Sequence, residues 1–429
     1  MSKAFKILIC FVVVNFYFFS TTFFFTRGTN TKQIMAVVGI VLFAIDMFRR
    51  KEFVISREFV GLLIYSGLIS LTAFFTYVYH NTHDRTYADY FMSMLTWLSA
   101  SYVAVRCVKA VHGKLSIELL SAYIISITVA QGLIAVLADL YAPLGEFIIR
   151  VIPNLRWCTR INRLYGFGDM ATLDTGGIRF ALASVLCANN IKISIEKEKT
   201  KVIPLYILAF LLITVTGNMV ARTTIVGSLV GLGYFLLYTT PFSGSLSSAV
   251  LRTWLWVIME TIAVFLIVSV LYNTDEQFYR RTRFAFEGFF SLVEEGHWRT
   301  ASNDVLVSMY VFPDNAETWL IGDGYFISPN RDENYLGELM EGYYMDTDVG
   351  YLRFIFYFGL LGLTIFSLYI IYAGRTCAKL NPGNDLFFIV LTSMHFLIWL
   401  KVATDCFFVL CLFICLGYVR NNILDPIEE

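Results

Sequence analysis

Hydrophobic residues in this chain come in long runs rather than in alternation. Apolar stretches of spanning length lie near 5–25, 33–48, 59–79, 88–107, 116–138, 177–194, 202–218, 223–239, 254–272, 350–372, 386–400 and 405–419. A helix crosses a bilayer with about 20 mostly apolar residues, whereas a barrel strand needs about 10 with strict alternation. Only helices and closed barrels satisfy every backbone polar group in lipid. The pattern therefore predicts an all-α polytopic membrane protein of about twelve transmembrane helices. The second and eleventh stretches are short. Residues 1–272 carry helices one to nine, with a loop at 141–176. Residues 273–349 form one large, partly helical loop, with helices expected around 278–293 and 300–311. Residues 350–429 carry helices ten to twelve and the C-terminal tail. The first stretch is too long for a removable signal peptide, and Phe23-Phe24-Phe25-Thr26-Arg27 is no small-residue cleavage site.

Composition agrees with that reading. Hydrophobic types make up 57% of the 429 residues and charged types 15%. Soluble domains carry roughly 25% charge, so a string of soluble domains is excluded, as are disorder and a disulfide-built secreted module. Net charge is zero and says nothing, but its distribution does. With the N-terminus inside, the short inside connections hold 17 Lys and Arg and the four short outside ones hold five. The positive-inside rule then puts both termini in the cytoplasm and the segments 141–176 and 273–349 outside. Of eight cysteines only Cys158 falls in a long outside segment. There is no CxxC pair, the five histidines are scattered, and nothing has metal-ligand spacing. Neither a metal nor any other cofactor is implied.

The two faces use different cations. The outside face has 14 Arg and 2 Lys, the inside face 7 Arg and 10 Lys. Arginine presents a rigid, permanently charged fork that grips phosphate oxygens bidentately. A surface that selects Arg over Lys beside a bilayer points to a phosphate or pyrophosphate ligand at the membrane boundary. The plain alternative is that lysines stay inside for topology and the outer arginines pair with local acids. The 273–349 loop holds 15 Asp and Glu against five Arg, with interleaved aromatics such as Trp298, Tyr310, Trp319, Tyr325, Tyr343 and Tyr344. Carboxylates and aromatic faces suit a sugar chain; the alternative is a solvated loop with its own small core. Arg222, in the turn Thr216–Thr223, is read as opening the next helix, where the dipole calls for an anionic partner. Ile321-Gly322-Asp323-Gly324-Tyr325 is a glycine-bracketed turn and a weak phosphate-cradle candidate. Asp348 leads into a span and is either its N-cap or a functional carboxylate. Glu260 lies mid-span and is expected to face the bundle, paired or protonated.

The order of these features resembles the O-antigen polymerases of the Wzy type, within the polymerase/ligase superfamily of polytopic membrane glycosyltransferases. The resemblance rests on Arg163-Leu164-Tyr165-Gly166-Phe167-Gly168 before a span, and on Ala221-Arg222-Thr223 after a short turn. Then comes a large late loop with Gly296-His297-Trp298-Arg299 and Gly322-Asp323-Gly324-Tyr325. The loop closes on Asp348-Val349-Gly350-Tyr351, followed by Phe358-Gly359-Leu360-Leu361-Gly362. Motif-like matches cover about 150–365, and topology covers the whole chain.

The resemblance implies a metal-independent polysaccharide polymerase on the periplasmic face of a bacterial inner membrane. It would transfer a growing glycan from polyprenyl (undecaprenyl) pyrophosphate to a lipid-linked repeat unit, for O antigen in lipopolysaccharide, for capsule or for exopolysaccharide. Arg163, Arg222 and Arg299 become the pyrophosphate-binding candidates, with Arg281, Arg283 and Arg353 behind them. Asp348 becomes the candidate catalytic base; Glu294, Glu295 and His297 are the alternatives. The implied partners are the polyprenyl-pyrophosphate-linked oligosaccharide, membrane lipid, a chain-length regulator and a flippase, with no nucleic acid. Ligases of the superfamily carry His-Asn where the loop re-enters the membrane; this chain has Asp348-Val349, which favours the polymerase branch over O-antigen ligase. A transporter or flippase of lipid-linked oligosaccharides is the competing class, but the sequence lacks the paired repeats and broken spans usual there. A signalling receptor would need an inside output domain, and the longest inside segment is about 13 residues.

Overall fold

A computed structural model describes residues 2–50, 56–160, 163–239, 247–337, 339–340 and 342–420. Helices come first as α1 (Lys3–Phe18), α2 (Thr31–Arg50), α3 (Arg57–Tyr79), α4 (Tyr90–His112), α5 (Ile117–Leu140) and α6 (Ala142–Val151). Next are α7 (Leu173–Glu196), α8 (Ile203–Val220), α9 (Thr224–Thr239) and α10 (Ser248–Thr274). The large loop folds into α11 (Glu276–Ala285), α12 (Glu287–Glu294), α13 (Ala301–Ser308) and α14 (Ala316–Ile321). The chain ends with α15 (Gly350–Leu380), α16 (Asp385–Ile398) and α17 (Phe407–Arg420). Among the described residues there is no strand, only an isolated bridge between Tyr165 and Thr172.

The protein is a helical membrane protein of the polytopic kind. Among the described residues, eight helices are long and apolar enough to cross a bilayer: α2, α3, α4, α5, α7, α8, α10 and α15. Every one of the apolar stretches carries a helix, but α9, α16 and α17 are shorter apolar helices. At 1.5 Å per residue, the 14 residues of α17 cover only about 21 Å. The first stretch is also shorter as a helix than as a run. α1 stops at Phe18, whose carbonyl accepts from the Arg179 side chain. Beyond it the chain reverses, stitched by Thr21 N–H to Thr31 Oγ1 (3.0 Å) and Thr31 N–H to the Thr21 carbonyl (2.9 Å). Serines start four helices: Ser2, Ser56, Ser116 and Ser247 each accept from a backbone N–H three residues on.

The chain divides into two compact units: Met1–Met35 with Val103–Trp298, and Ala36–Tyr102 with Arg299–Glu429. In the first unit α7 is the core, buried continuously from Gly176 to Ser194. It is packed by α5, α8 and α9. Glycines allow the approach: a Cβ on Gly227 would lie 2.2 Å from the Ala181 carbonyl oxygen, and one on Gly177 2.7 Å from the Ala221 Cβ. Segment 141–176 has an apolar core of its own, Ile148, Ile152, Leu155 and Cys158 against Ala138. On α10 the buried residues Val250, Thr253 and Val264 share one stripe, and Glu260 falls on it at helical spacing. Glu260 therefore faces the bundle as expected, and its covered Oε2 has no hydrogen-bond partner among the described residues.

In the second unit α17 is buried from Phe407 to Val419 and packs on α15. α15 is kinked: Phe358 and Gly359 leave helical geometry, Gly359 at φ 66°. The loop sits on the N-terminal half of α15, where Val349, Leu352, Ile355 and Phe356 pack against Leu306, Met309, Val311 and Trp319. The helical stretch expected at 278–293 breaks at Phe286 into α11 and α12, and the one at 300–311 is α13.

Within each unit, segments assigned by charge to one side meet at one end. In the first, Glu118 pairs with Lys197 and Lys199 at the inside end, while Asp139 pairs with Arg281 among outside segments. In the second, Glu58 pairs with Lys379 and Arg420 reaches the Leu380 carbonyl inside. The outside turn after α3 bonds the large loop, and Tyr310 reaches the Leu400 carbonyl.

Candidate functional site

Sequence position brought Arg163 and Arg222 together as candidates, and the fold brings them together in space. Leu164 N–H donates to the Met219 carbonyl (3.0 Å), which lays the 163–168 stretch along the end of α8. Gln131, from within α5, clamps that stretch: its amide donates to the Phe167 carbonyl (3.0 Å) and accepts from the Phe167 N–H (2.7 Å). A Cβ on Gly166 would lie 2.6 Å from Gln131 Oε1, so only glycine fits there. Arg222 lies in the short link between α8 and α9 and not within a helix, since α9 starts at Thr224. Both guanidiniums lie over the Phe284 ring, at 5.2 Å for Arg163 and 4.3 Å for Arg222. Arg222 Nε also donates to the Phe284 carbonyl (3.0 Å), and its Nη2 pairs with Glu287. Burial pushes the Arg222 guanidinium down from its ordinary value; Glu287 opposes this and Arg163 adds to it. Among the described residues Arg163 has no carboxylate partner. Two cations thus share one ring, and the acid sits on Arg222.

The other arginines are each matched. Arg281 forks onto Asp139 with contacts of 2.9 and 3.3 Å. Arg283 forks onto Glu294, and its guanidinium covers the Phe290 ring. That contact holds Glu294 below the ordinary carboxylate range, which makes it the poorer base. Glu295 and His297 are exposed and turned on each other, 3.4 Å apart. Arg299 is 64% exposed and pairs with Asp304 at 2.8 Å. Of the six candidate arginines, all but Arg163 thus pair with a local acid.

Arg353 is enclosed. Its side chain is 5% exposed, with the Phe326 ring 3.8 Å from one approach and the Tyr343 ring 3.5 Å from another. Nη2 donates to the Phe326 carbonyl (2.8 Å), and Nη1 lies 3.5 Å from Asp348 Oδ1. The N-cap reading of Asp348 fails. The N-cap residue of α15 is Val349, without a side-chain cap, and it is Thr347 whose hydroxyl accepts the Val349 N–H (3.3 Å). Asp348 sits one residue too early to cap, and pairs with Arg353.

The glycine-bracketed turn is not a phosphate cradle. Gly322 and Gly324 have φ of 75° and 79°, as a tight turn requires. The N–H groups of Asp323 and Gly324 are spent on the Phe356 and Tyr357 carbonyls, at 2.6 and 3.1 Å. Those carbonyls precede the α15 kink, so the turn completes a broken helix. The Asp323 carboxylate accepts from Thr318 (2.5 Å) and Tyr344 (3.1 Å), and burial raises its carboxyl.

Sequence reasoning missed a cluster between the α3–α4 turn and the loop. Asp84, buried, accepts the Phe326 and Ile327 N–H groups at 2.7 and 2.9 Å, and Thr86 besides. Asp332, also buried, accepts from the backbone N–H of His83 (2.7 Å) and from its ring Nδ1 (2.6 Å). Tyr325 and the Asn334 N–H complete its shell at 3.0 and 2.9 Å. Burial opposes the charge of Asp332, yet these donors hold its carboxyl down, to about 2. The available sequence signal was two histidines, His80 and His83, in a short outside turn. Among the described residues, no group of three or more His, Cys, Asp or Glu is placed to hold a metal ion. No protein-family profile, curated protein or solved structure matches this chain.

Proposed function

We propose that this protein is a polysaccharide polymerase of the O-antigen type. It extends a glycan by moving it from polyprenyl pyrophosphate onto a lipid-linked repeat unit. The proposal includes twelve crossings, both termini in the cytoplasm, and residues 273–349 on the outer face of a bacterial inner membrane. The meeting of like-sided segments at one end of each unit supports that topology.

The observation that carries the reading is the Arg163–Arg222 pair on Phe284. Arg163, which has no carboxylate partner among the described residues, sets a second positive charge beside Arg222 at the end of α8. A pyrophosphate supplies the missing anion and accepts both forks. As the glycosidic bond breaks, negative charge grows on the departing pyrophosphate, and fixed cations there favour the transition state over the ground state. Arg353, enclosed by two rings, acts on Asp348 rather than on a phosphate. In this reading arginines carry the leaving-group charge, and activity persists with excess chelator.

The test is chain growth by purified protein from lipid-linked repeat units. A ladder of glycans in the presence of chelator is expected. Growth that stops with chelator and returns with magnesium would overturn the metal-independent mechanism. Absence of any ladder, with repeat units instead moving across the bilayer, would overturn the polymerase reading in favour of a flippase. Reporter fusions at Asn330 and Glu429 check the topology; a cytoplasmic signal at Asn330 would overturn it.

A further inference from the structure

Arg222 and Glu287 meet at the proposed pyrophosphate site, and both belong to the first unit, as do Arg163 and Phe284. A carboxylate on the guanidinium that is to receive a phosphate either blocks the site or gives way. We propose that Glu287 is a displaceable counter-ion. The incoming pyrophosphate replaces it on Arg222, and its return drives the spent lipid pyrophosphate out. This inference rests on the polymerase reading and adds to it how the site loads and empties.

Three observations carry it. The first is the anchoring of the cation. Arg222 Nε donates to the Phe284 carbonyl (3.0 Å), and the guanidinium lies over the Phe284 ring at 4.3 Å. The neighbouring Thr223 is fully buried, and its hydroxyl donates to Asp174 in the first turn of α7 (2.5 Å). Arg222 is therefore held by contacts that do not involve the carboxylate. The second is the place of the acid. Glu287 opens α12, directly after the break at Phe286, and its side chain is 35% exposed against 12% for Arg222. In an exchange it is the acid that turns into water, on its flexible stem, while the arginine stays. The third is the neighbouring charge. Arg163 lies 5.2 Å from the same ring, with no carboxylate partner among the described residues. Turning Glu287 away removes a negative charge from the place where an anion would bridge the two guanidiniums.

The donor's pyrophosphate diester is charged on each phosphate, and the lipid pyrophosphate freed by transfer is more negative still. Fixed arginines alone would hold that product more tightly than the donor and stall the site. A tethered carboxylate competes with both, at an effective concentration set by its short stem rather than by solution. It trades strength of binding for speed of release, the step that limits turnover in many enzymes.

The probe is inorganic pyrophosphate, titrated into the purified full chain in detergent, with binding read by calorimetry. Glu287→Gln keeps the shape of the side chain and an acceptor for Arg222, and removes the competing charge. Binding is expected to tighten about tenfold or more. Glu294→Gln removes a half-exposed acid from the other end of the same helix, and should change affinity by less than about twofold because water and salt screen that charge. In chain growth, Glu287→Gln is expected to lower KM for the lipid-linked donor and kcat together, with stronger inhibition by added polyprenyl pyrophosphate. A merely structural pair would melt lower in Glu287→Gln and bind pyrophosphate no tighter. Unchanged affinity in Glu287→Gln, or equal tightening in Glu294→Gln, would overturn the counter-ion and leave the polymerase reading standing. If neither wild type nor Glu287→Gln binds pyrophosphate, the anion site fails and the polymerase reading fails with it. Should Glu287→Gln not fold, Glu287→Asp takes its place: the shorter stem loosens the pair, binding is expected to tighten by a smaller factor, and unchanged binding would overturn the proposal equally.

Discussion

Arg222 and Arg353 look alike in sequence and differ in what surrounds them. Both stand near the end of a membrane helix, and both pair with one carboxylate, Glu287 and Asp348 respectively. Arg353 is closed in by Phe326 and Tyr343 and bound to a backbone carbonyl, each contact made within its own unit. Arg222 shares the Phe284 ring with a second cation, Arg163, which has no carboxylate partner among the described residues. A buried cation with its own acid is a structural element, whereas surplus charge beside a membrane is an invitation to an anion. Local charge balance and enclosure by rings, not residue type, separate the two roles.

The largest expected effect falls on the surplus pair. Replacing Arg163 and Arg222 together by Lys keeps both charges and removes both forks. Chain growth should fall at least about 100-fold, the scale of losing one strong transition-state contact. Thermal stability in detergent should stay close to wild type. Near-normal growth in the double variant would mean that point charge is enough, and the bidentate account would have to be dropped.

The opposite outcome is expected for the enclosed arginine. Arg353→Met removes the cation and leaves Asp348 without it. Breaking a buried pair on one side costs about 3–5 kcal/mol. The variant should therefore lose folded yield and melt markedly lower, with activity per folded molecule reduced much less. A variant that melts normally but cannot grow chains would move Arg353 from the frame into the site.

How much of this could be read from the sequence follows from the range of each interaction. Every apolar stretch was visible as a helix because lipid demands continuous apolar runs, whereas the loop helices α6 and α14 announced themselves in no such run. Helix ends were less visible. Asp348 was read as either a cap or a functional carboxylate, and Val349 holds the cap, one residue along. Arg222 was placed inside a helix that begins two residues later. The glycine turn suggested a cradle because two glycines bracket it, yet its N–H groups answer a kink in α15 that no local pattern announces. His83 and Asp332 are 249 residues apart, so neither carried a signal alone. Charge census told which face has arginines; only three-dimensional pairing told which of them are already satisfied.

A smaller and more diagnostic effect is expected at Asp348. Asn keeps the size of the side chain and loses its charge. With capping removed as an explanation, the change acts through Arg353, whose burial then goes less compensated. Melting should drop modestly, and chain growth should fall less than about tenfold, below the range for loss of a general base. Abolished growth with an unchanged melt would instead make Asp348 the base.

The smallest effect is expected at Arg299, although its place in the motif order ranked it with Arg163 and Arg222. It is exposed and pairs with Asp304 five residues away. An exposed pair of this kind contributes about 0–1 kcal/mol and is screened by salt. Arg299→Lys and Arg299→Ala should each grow chains within about threefold of wild type and melt alike, since surface substitutions usually stay within about 0.5 kcal/mol. A loss at Arg299→Lys as deep as in the Arg163 and Arg222 double variant would show that exposure had misled. The loop would then present Arg299 to the pyrophosphate once substrate is bound, and the contrast drawn from Arg222 and Arg353 would have to be redrawn with substrate present.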